Sequence, residues 1–180
     1  MKLKQLELEN FRQFFGTQTV EFAHGLEDNV TVVHGDNGAG KTTLLNACTW
    51  LFYDEVTMAQ PDKIATERAL SEAEVNGRVS ARVKLDFDHE EAQYTAEREQ
   101  VFRKQSPSDL SGIQVDETLS LEYIDENGNH KTRGNPSSAL KQILPQRLRE
   151  IFFFDGESIN ELTVDDSQER VQAAIRNIMG

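Results

Sequence analysis

Leu3, Leu6 and Leu8, then Val20 and Phe22, punctuate two short segments whose apolar and polar positions trade places as they do in half-buried strands. The run VTVV at 30–33 breaks that pattern by staying apolar, which predicts a buried central strand. Leu44, Leu45, Cys48, Leu51 and Phe52 then recur at helical spacing and predict an amphipathic helix over 41–53. A polar link leads to a predicted short helix at 62–73, with Pro61 beside its start.

The period changes again at Gly77. Val79, Ala81, Val83, Leu85 and Phe87 alternate strictly with polar residues, and FDHEEAQY reads as the turn into a return strand at 93–103. A Ser-, Pro- and Gly-rich loop at 104–113 precedes another strand at 115–124, and Asn127-Gly128 predicts a tight hairpin turn. Pro136 opens a helix to about residue 144. Residues 158–179 are polar, and Val171, Ala174, Ile175 and Ile178 recur at the i, i+3, i+4, i+7 spacing of a packed helical face. The last residues read as a helix still growing, which suggests a fragment of a longer chain.

With 180 residues, 37% of them hydrophobic, the chain suffices for one core, and so for one domain or one lobe of a larger one. A net charge of −12 argues against a generally basic, DNA-coating surface, though not against a local groove. Basic residues such as Lys2, Lys4, Arg78, Arg82 and Lys84 form no stripe, so no DNA-contacting residue is named. The single cysteine, Cys48, forms no internal disulfide and sits on the apolar side of the 41–53 helix, as a buried, inert thiol would. The amino terminus has no apolar leader and no stretch is long enough to span a bilayer, so the expected location is cytoplasmic, away from membranes.

Between the apolar run and the 41–53 helix stands Gly35-Asp36-Asn37-Gly38-Ala39-Gly40-Lys41-Thr42, a full G-x-x-x-x-G-K-[ST] match. Glycines allow successive backbone N–H groups to converge on one anion, and the helix dipole adds positive charge at the same point. Lys41 reaches β and γ phosphates in such a loop, and the Thr42 hydroxyl ligates Mg²⁺. Gly35, Asn37, Gly38, Ala39, Gly40, Lys41, Thr42 and the following Thr43 are therefore the candidate nucleotide-binding residues, with Lys41 also a catalytic candidate. No guanine-reading N-K-x-D and no arginine-rich lid accompany the loop, which favours ATP.

Residues 110–114, LSGIQ, and 121–126, LEYIDE, imitate the signature and Walker B motifs of an ATP-binding cassette. Leu119, Leu121 and Tyr123 alternate with polar residues, whereas a central Walker B strand is apolar on both faces. Asp125 and Glu126 run straight into Asn127-Gly128, and Ile113 stands where backbone must approach phosphate. The pair is read as a decoy.

The opening LELENFRQF, the phosphate loop and the later LREIFFFDGESINEL together resemble the N-terminal half of a coiled-coil ATP-binding-cassette head. Such heads occur in the structural-maintenance-of-chromosomes (SMC), RecF and double-strand-break-repair ATPases. The aromatics before Asp155-Gly156-Glu157 look most like the DndD family, the ATPases of bacterial DNA phosphorothioation. The resemblance implies an α/β fold, the N-terminal lobe of a P-loop head with a mixed β-sheet and an antiparallel meander around the P-loop helix. That lobe would occupy 1–165, and 166–180 would begin a coiled coil leading to a C-terminal lobe outside this sequence.

By the same resemblance Arg12 contacts nucleotide phosphates. Asp155 stands where relatives carry a Q-loop glutamine, a candidate catalytic and metal-binding position, with Glu157 as the alternative. ATP and Mg²⁺ are the implied ligands. The implied partners are the C-terminal lobe, a second head joined on ATP binding, other DNA sulfur modification proteins and DNA. The alternatives are a repair or anti-phage defence ATPase of the same superfamily, a nucleotide-binding module without hydrolysis, and a compact hydrolase using Asp125 and Glu126.

Overall fold

A computed structural model describes residues 1–27, 29–57 and 60–153. Asp155, Glu157, the helical face expected at Val171–Ile178 and the coiled-coil root expected at 166–180 lie outside the described residues. The chain opens with a hairpin of β1 (Lys2–Phe11) and β2 (Phe14–Glu21), then runs through the phosphate loop into α1 (Lys41–Tyr53) and the short α2 (Glu67–Glu72). A meander of β3 (Arg78–His89), β4 (Ala92–Arg103), β5 (Ile113–Ile124) and the short β6 (His130–Thr132) follows. α3 (Pro136–Ile143), a 3₁₀ turn and α4 (Arg149–Phe152) end the described chain.

The strands form one sheet in the order β2-β1-β3-β4-β5-β6. Every pairing is antiparallel. The strict alternation in β3 does what it predicts. Val79, Ala81, Val83, Leu85 and Phe87 are buried under α1, while Arg82 on the opposite face pairs with Glu7 at 3.0 Å and Glu9 at 2.8 Å. The core is continuous through its rings. Phe11 packs on Trp50 at 5.2 Å, Phe52 on Phe87 at 6.0 Å, and Phe87, Tyr94 and Tyr123 stack across three strands at 5.3 and 5.4 Å.

Two cations lie inside among the described residues: Lys104, whose ammonium donates to the carbonyls of Ser71 at 3.1 Å and Ala73 at 2.9 Å, and Arg98. Arg98 is only 5% exposed, on the inner face of β4, and is held by Glu117 at 2.6 Å and Asp54 at 3.1 Å beside the Trp50 ring. A buried guanidinium is tolerable only when paired, and here the pairing ties β4 to the end of α1 and to β5.

Three expectations fail. The sheet is not mixed, because every strand pairing among the described residues is antiparallel. Residues 30–33 form no strand, and Val30 and Val32 are 74% and 66% exposed. An apolar run of this kind is made to have strands on either side, but β1 already lies between β2 and β3, and none of the six strands pairs with it. The predicted helix at 62–73 shrinks to α2 because the preceding residues are used by the β1 end. Arg12 N–H donates to the Ile64 carbonyl at 2.7 Å, Thr66 N–H donates to Asn10 at 2.8 Å, and Ala65 bridges Phe11, which holds the segment extended.

Cys48 is fully enclosed, and burial pushes its thiol up to about 12. Burial also raises the Tyr53 hydroxyl to about 12, with Arg149 opposing and Glu55 reinforcing the shift. Both groups keep their protons in the fold longer than in the unfolded chain. Their stabilisation is intact below the thiol's ordinary value of 9.0 and declines as pH rises from there toward about 12. A thiol-specific reagent should therefore leave Cys48 untouched near neutral pH until urea unfolds the chain, and the urea midpoint should fall between neutral and strongly alkaline buffer.

Candidate functional site

The phosphate loop meets α1 at Gly40, which is its N-cap with φ +107°, and Gly38 lies at φ +83°. Both angles are ones that side-chain-bearing residues resist. Gly40 is also sterically confined: a Cβ there would stand 2.6 Å from Phe14 Cζ and 2.8 Å from Gln13 Nε2. The β1–β2 turn, residues 12–14, therefore leans directly on the loop. Gln13 adds a second tie, its Oε1 accepting from the hydroxyl of the buried Thr43 at 2.7 Å.

No side chain caps α1, and its first turn carries no acidic residue. The first N–H groups of a helix have no partners within it, so this end presents donors and the positive pole of the dipole together. The Lys41 ammonium arches back along the loop, donating to the carbonyls of Gly35 at 2.7 Å and Asp36 at 2.9 Å while remaining exposed. Asn37 and Ala39 are exposed, with Ala39 N–H closing a turn onto the Asp36 carbonyl at 3.1 Å. Thr42 is half-buried in the first turn, and its carbonyl accepts from Asn46 Nδ2 at 2.9 Å. These features fit a polyphosphate: uncapped donors, a cation that can turn outward, and no resident carboxylate in that turn to repel the anion.

Arg12 sits in the turn that braces Gly40, with φ +53°. Its Nη1 donates to the carbonyls of Gln60 at 3.2 Å and Lys63 at 3.1 Å, and partial burial lowers its pKa. Asn46 is a residue that sequence reasoning missed. It is wholly buried, and its Oδ1 accepts from Thr57 N–H at 2.7 Å and the Thr57 hydroxyl at 3.1 Å, fastening the chain after α1 back onto the helix. An asparagine among the apolar residues 44–48 of the helix was the available signal. The far end of α1 is fastened too: the Tyr53 hydroxyl donates to the Leu144 carbonyl at 3.1 Å, and Glu55 pairs with Arg149 and accepts from Gln146 at 2.8 Å.

The imitation motifs lie at the two ends of β5, each running into a turn. Asp109 Oδ1 accepts from the amides of Ser111 at 3.0 Å and Gly112 at 2.9 Å, so the LSGIQ backbone is already engaged. Asp125 accepts from Lys131 Nζ at 2.6 Å and from the Asn127 and Asn129 amides, each at 3.0 Å, within the β5–β6 hairpin. Those partners, Lys131 first, hold its carboxyl well below the usual range. The decoy reading holds.

An antiparallel sheet wrapped on a phosphate-loop helix defines the N-terminal lobe of a P-loop ATPase. The chain belongs to the AAA domain family, whose profile matches residues 5–179. It is 34% identical over 110 residues to the DNA double-strand break repair Rad50 ATPase of Methanosarcina acetivorans, a match covering 61% of this chain and 9% of that protein. The proteins of that name from Halobacterium salinarum and Methanosarcina mazei are 32% and 36% identical over 98 and 104 residues, covering 54% and 57% of this chain. The matched part is a tenth or less of each relative's length. Together these matches place the chain in the SMC/RecF-like ATPase superfamily as an SMC-like ATP-binding domain, which implies ATP and Mg²⁺.

Gly40→Ala should cost about 1–3 kcal/mol through its backbone angle alone, and more if Phe14 cannot yield. A urea titration of the variant checks this, and an unchanged midpoint would refute the packing of the 12–14 turn on the loop.

Proposed function

We propose that this chain binds Mg-ATP as the N-terminal lobe of an SMC-like ATPase head, with 1–165 as the lobe and 166–180 as the root of a coiled coil. The observation that carries the reading is the uncapped start of α1 behind a complete phosphate loop, with the Lys41 ammonium arched along it. On binding, Lys41 exchanges the carbonyls of Gly35 and Asp36 for β and γ phosphate oxygens, and the amides around Gly38–Thr43 donate to the same group. Thr42 offers its hydroxyl to Mg²⁺, which supplies charge neutralisation of the phosphates. Arg12 leaves the carbonyls of Gln60 and Lys63 for the phosphates, a short swing because its turn already braces Gly40. Asp155 or Glu157 serves the metal and the attacking water.

Holding a triphosphate is half of phosphoryl transfer, since a positioned water and further charge stabilisation are also needed. In this reading they come from a C-terminal lobe and from a second head that closes over the γ-phosphate. The exposed valines at 30, 32 and 33 support the docking of that lobe, because strands laid beside them would bury what stands open. Head closure and opening then remodel DNA. For the pathway, the phenylalanines at 152–154 ahead of Asp155-Gly156-Glu157 support DNA phosphorothioation, with other DNA sulfur modification proteins as partners. The likeness to DNA double-strand break repair ATPases supports the second reading, DNA break repair.

Lys41→Ala should weaken ATP binding about a hundredfold or more in a fluorescent-nucleotide titration, since charge-assisted bonds of ~1.5–3 kcal/mol each are lost. Unchanged affinity rejects the phosphate-loop assignment. The isolated chain should turn over little ATP and gain activity when fused to a C-terminal lobe. Brisk turnover without one refutes the division between lobes.

A further inference from the structure

We infer that Asn37 is a site of spontaneous deamidation whose chemistry is blocked when the phosphate loop is filled. The sequence contains three Asn-Gly steps, at 37–38, 76–77 and 127–128. In such a step the backbone nitrogen of the glycine attacks the asparagine side-chain carbonyl carbon. A C–N bond forms, solvent base takes the N–H proton, and the side-chain amide leaves as ammonia, giving a five-membered succinimide. Water then opens the ring at either carbonyl, leaving aspartate or isoaspartate. The balance is one water consumed and one ammonia released, with no change of oxidation state. Glycine permits the attack because it has no side chain to hinder it, and because its backbone turns freely.

What separates the three steps is the attacking nitrogen. Gly77 N–H is committed to the Glu74 carbonyl at 2.8 Å and Gly128 N–H to the Asp125 carbonyl at 2.9 Å, so each must break a bond before it reacts. Gly38 N–H has no hydrogen-bond partner among the described residues, nor has the Asn37 side chain. Asn37 is exposed, and a Cβ built on Gly38 would meet nothing within 4 Å, so the ring has room to close and water reaches it. The protein's own contacts thus leave both reacting groups unengaged.

The block rests on the phosphate-binding reading above: a bound phosphate takes the Gly38 N–H as a donor and puts it in the condition of Gly77 and Gly128. The products are incompatible with binding. Aspartate adds a carboxylate inside an anion cradle. Isoaspartate lengthens the backbone by one atom where the amide directions matter most. A filled loop therefore preserves itself, and an empty one ages.

The test is to hold the purified chain for days in mildly alkaline buffer, with and without a non-hydrolysable ATP analogue and magnesium, and to map the three peptides for deamidation mass and isoaspartate. Without nucleotide, Asn37 should convert about five- to tenfold faster than Asn76 and Asn127, the factor one backbone hydrogen bond is worth. Conversion no faster than at Asn127 overturns the proposal. With the analogue shown bound by a separate titration, the rate at Asn37 should fall to that of the other two, and an unslowed rate overturns the block. If the titration shows no binding at all, the phosphate reading falls instead, and the nucleotide-free comparison alone decides the site.

Discussion

The missing side chain of Gly40 is the constraint on which the rest is built. Because no Cβ stands there, Phe14 and Gln13 close to within contact of the loop backbone, and the β1–β2 hairpin becomes a brace for the start of α1. The Gln13–Thr43 hydrogen bond locks the same joint from the helix side. Helix α1 then lies across the sheet with Phe11 on Trp50 and Phe52 on Phe87, so the core side chains that bury it also aim its N-terminus. Rigid elements position an anion site better than a loop can, because the donors need no ordering when the ligand arrives.

The other end of α1 adds polar ties to the ring packing of Phe52 and Tyr53. Asn46 and Thr49 hold the chain that follows the helix, with Thr49 donating to the Glu55 carbonyl at 3.0 Å. Arg98, buried beside Trp50, takes Asp54 as a partner and so joins the helix end to β4. Removing one partner from a group of this kind strands a charge in the interior, so these residues specify where the helix ends more than they add stability.

Much of this was legible in the sequence because it depends on period. Helix 41–53 matches α1 at both ends, and the alternation in 79–87 gives the buried face of β3. Asn127-Gly128 marks the β5–β6 turn, and the hairpin context unmasks Asp125. What escaped was long-range. Nothing local says that residues 60–66 will be drawn to the β1 end by Arg12 and Asn10, shortening the next helix. Nor does an apolar run reveal whether its neighbours lie in the same sheet, which is why 30–33 reads as interior and stands outside. For the site, motif spacing located the loop, while the Gln13, Phe14 and Asn46 contacts join segments distant in sequence and carry no motif.

The acid groups after α1 and in the β5–β6 turn also bear on what the loop can do. Asp54 is engaged by Arg98, Glu55 by Arg149 and Gln146, and Asp125 by the turn it caps. Each is committed to holding the fold, and withdrawing it to activate a water would leave a cation or a row of amides unsatisfied. A cradle free of acid in its first helical turn is well suited to gathering phosphate charge. The same feature makes it a poor place to generate a nucleophile, because a carboxylate close enough to polarise water would also repel the phosphates being held. In the proposed reading the two tasks fall to polypeptide segments that meet on binding, and the exposed valines at 30, 32 and 33 are a surface on which such a segment would dock.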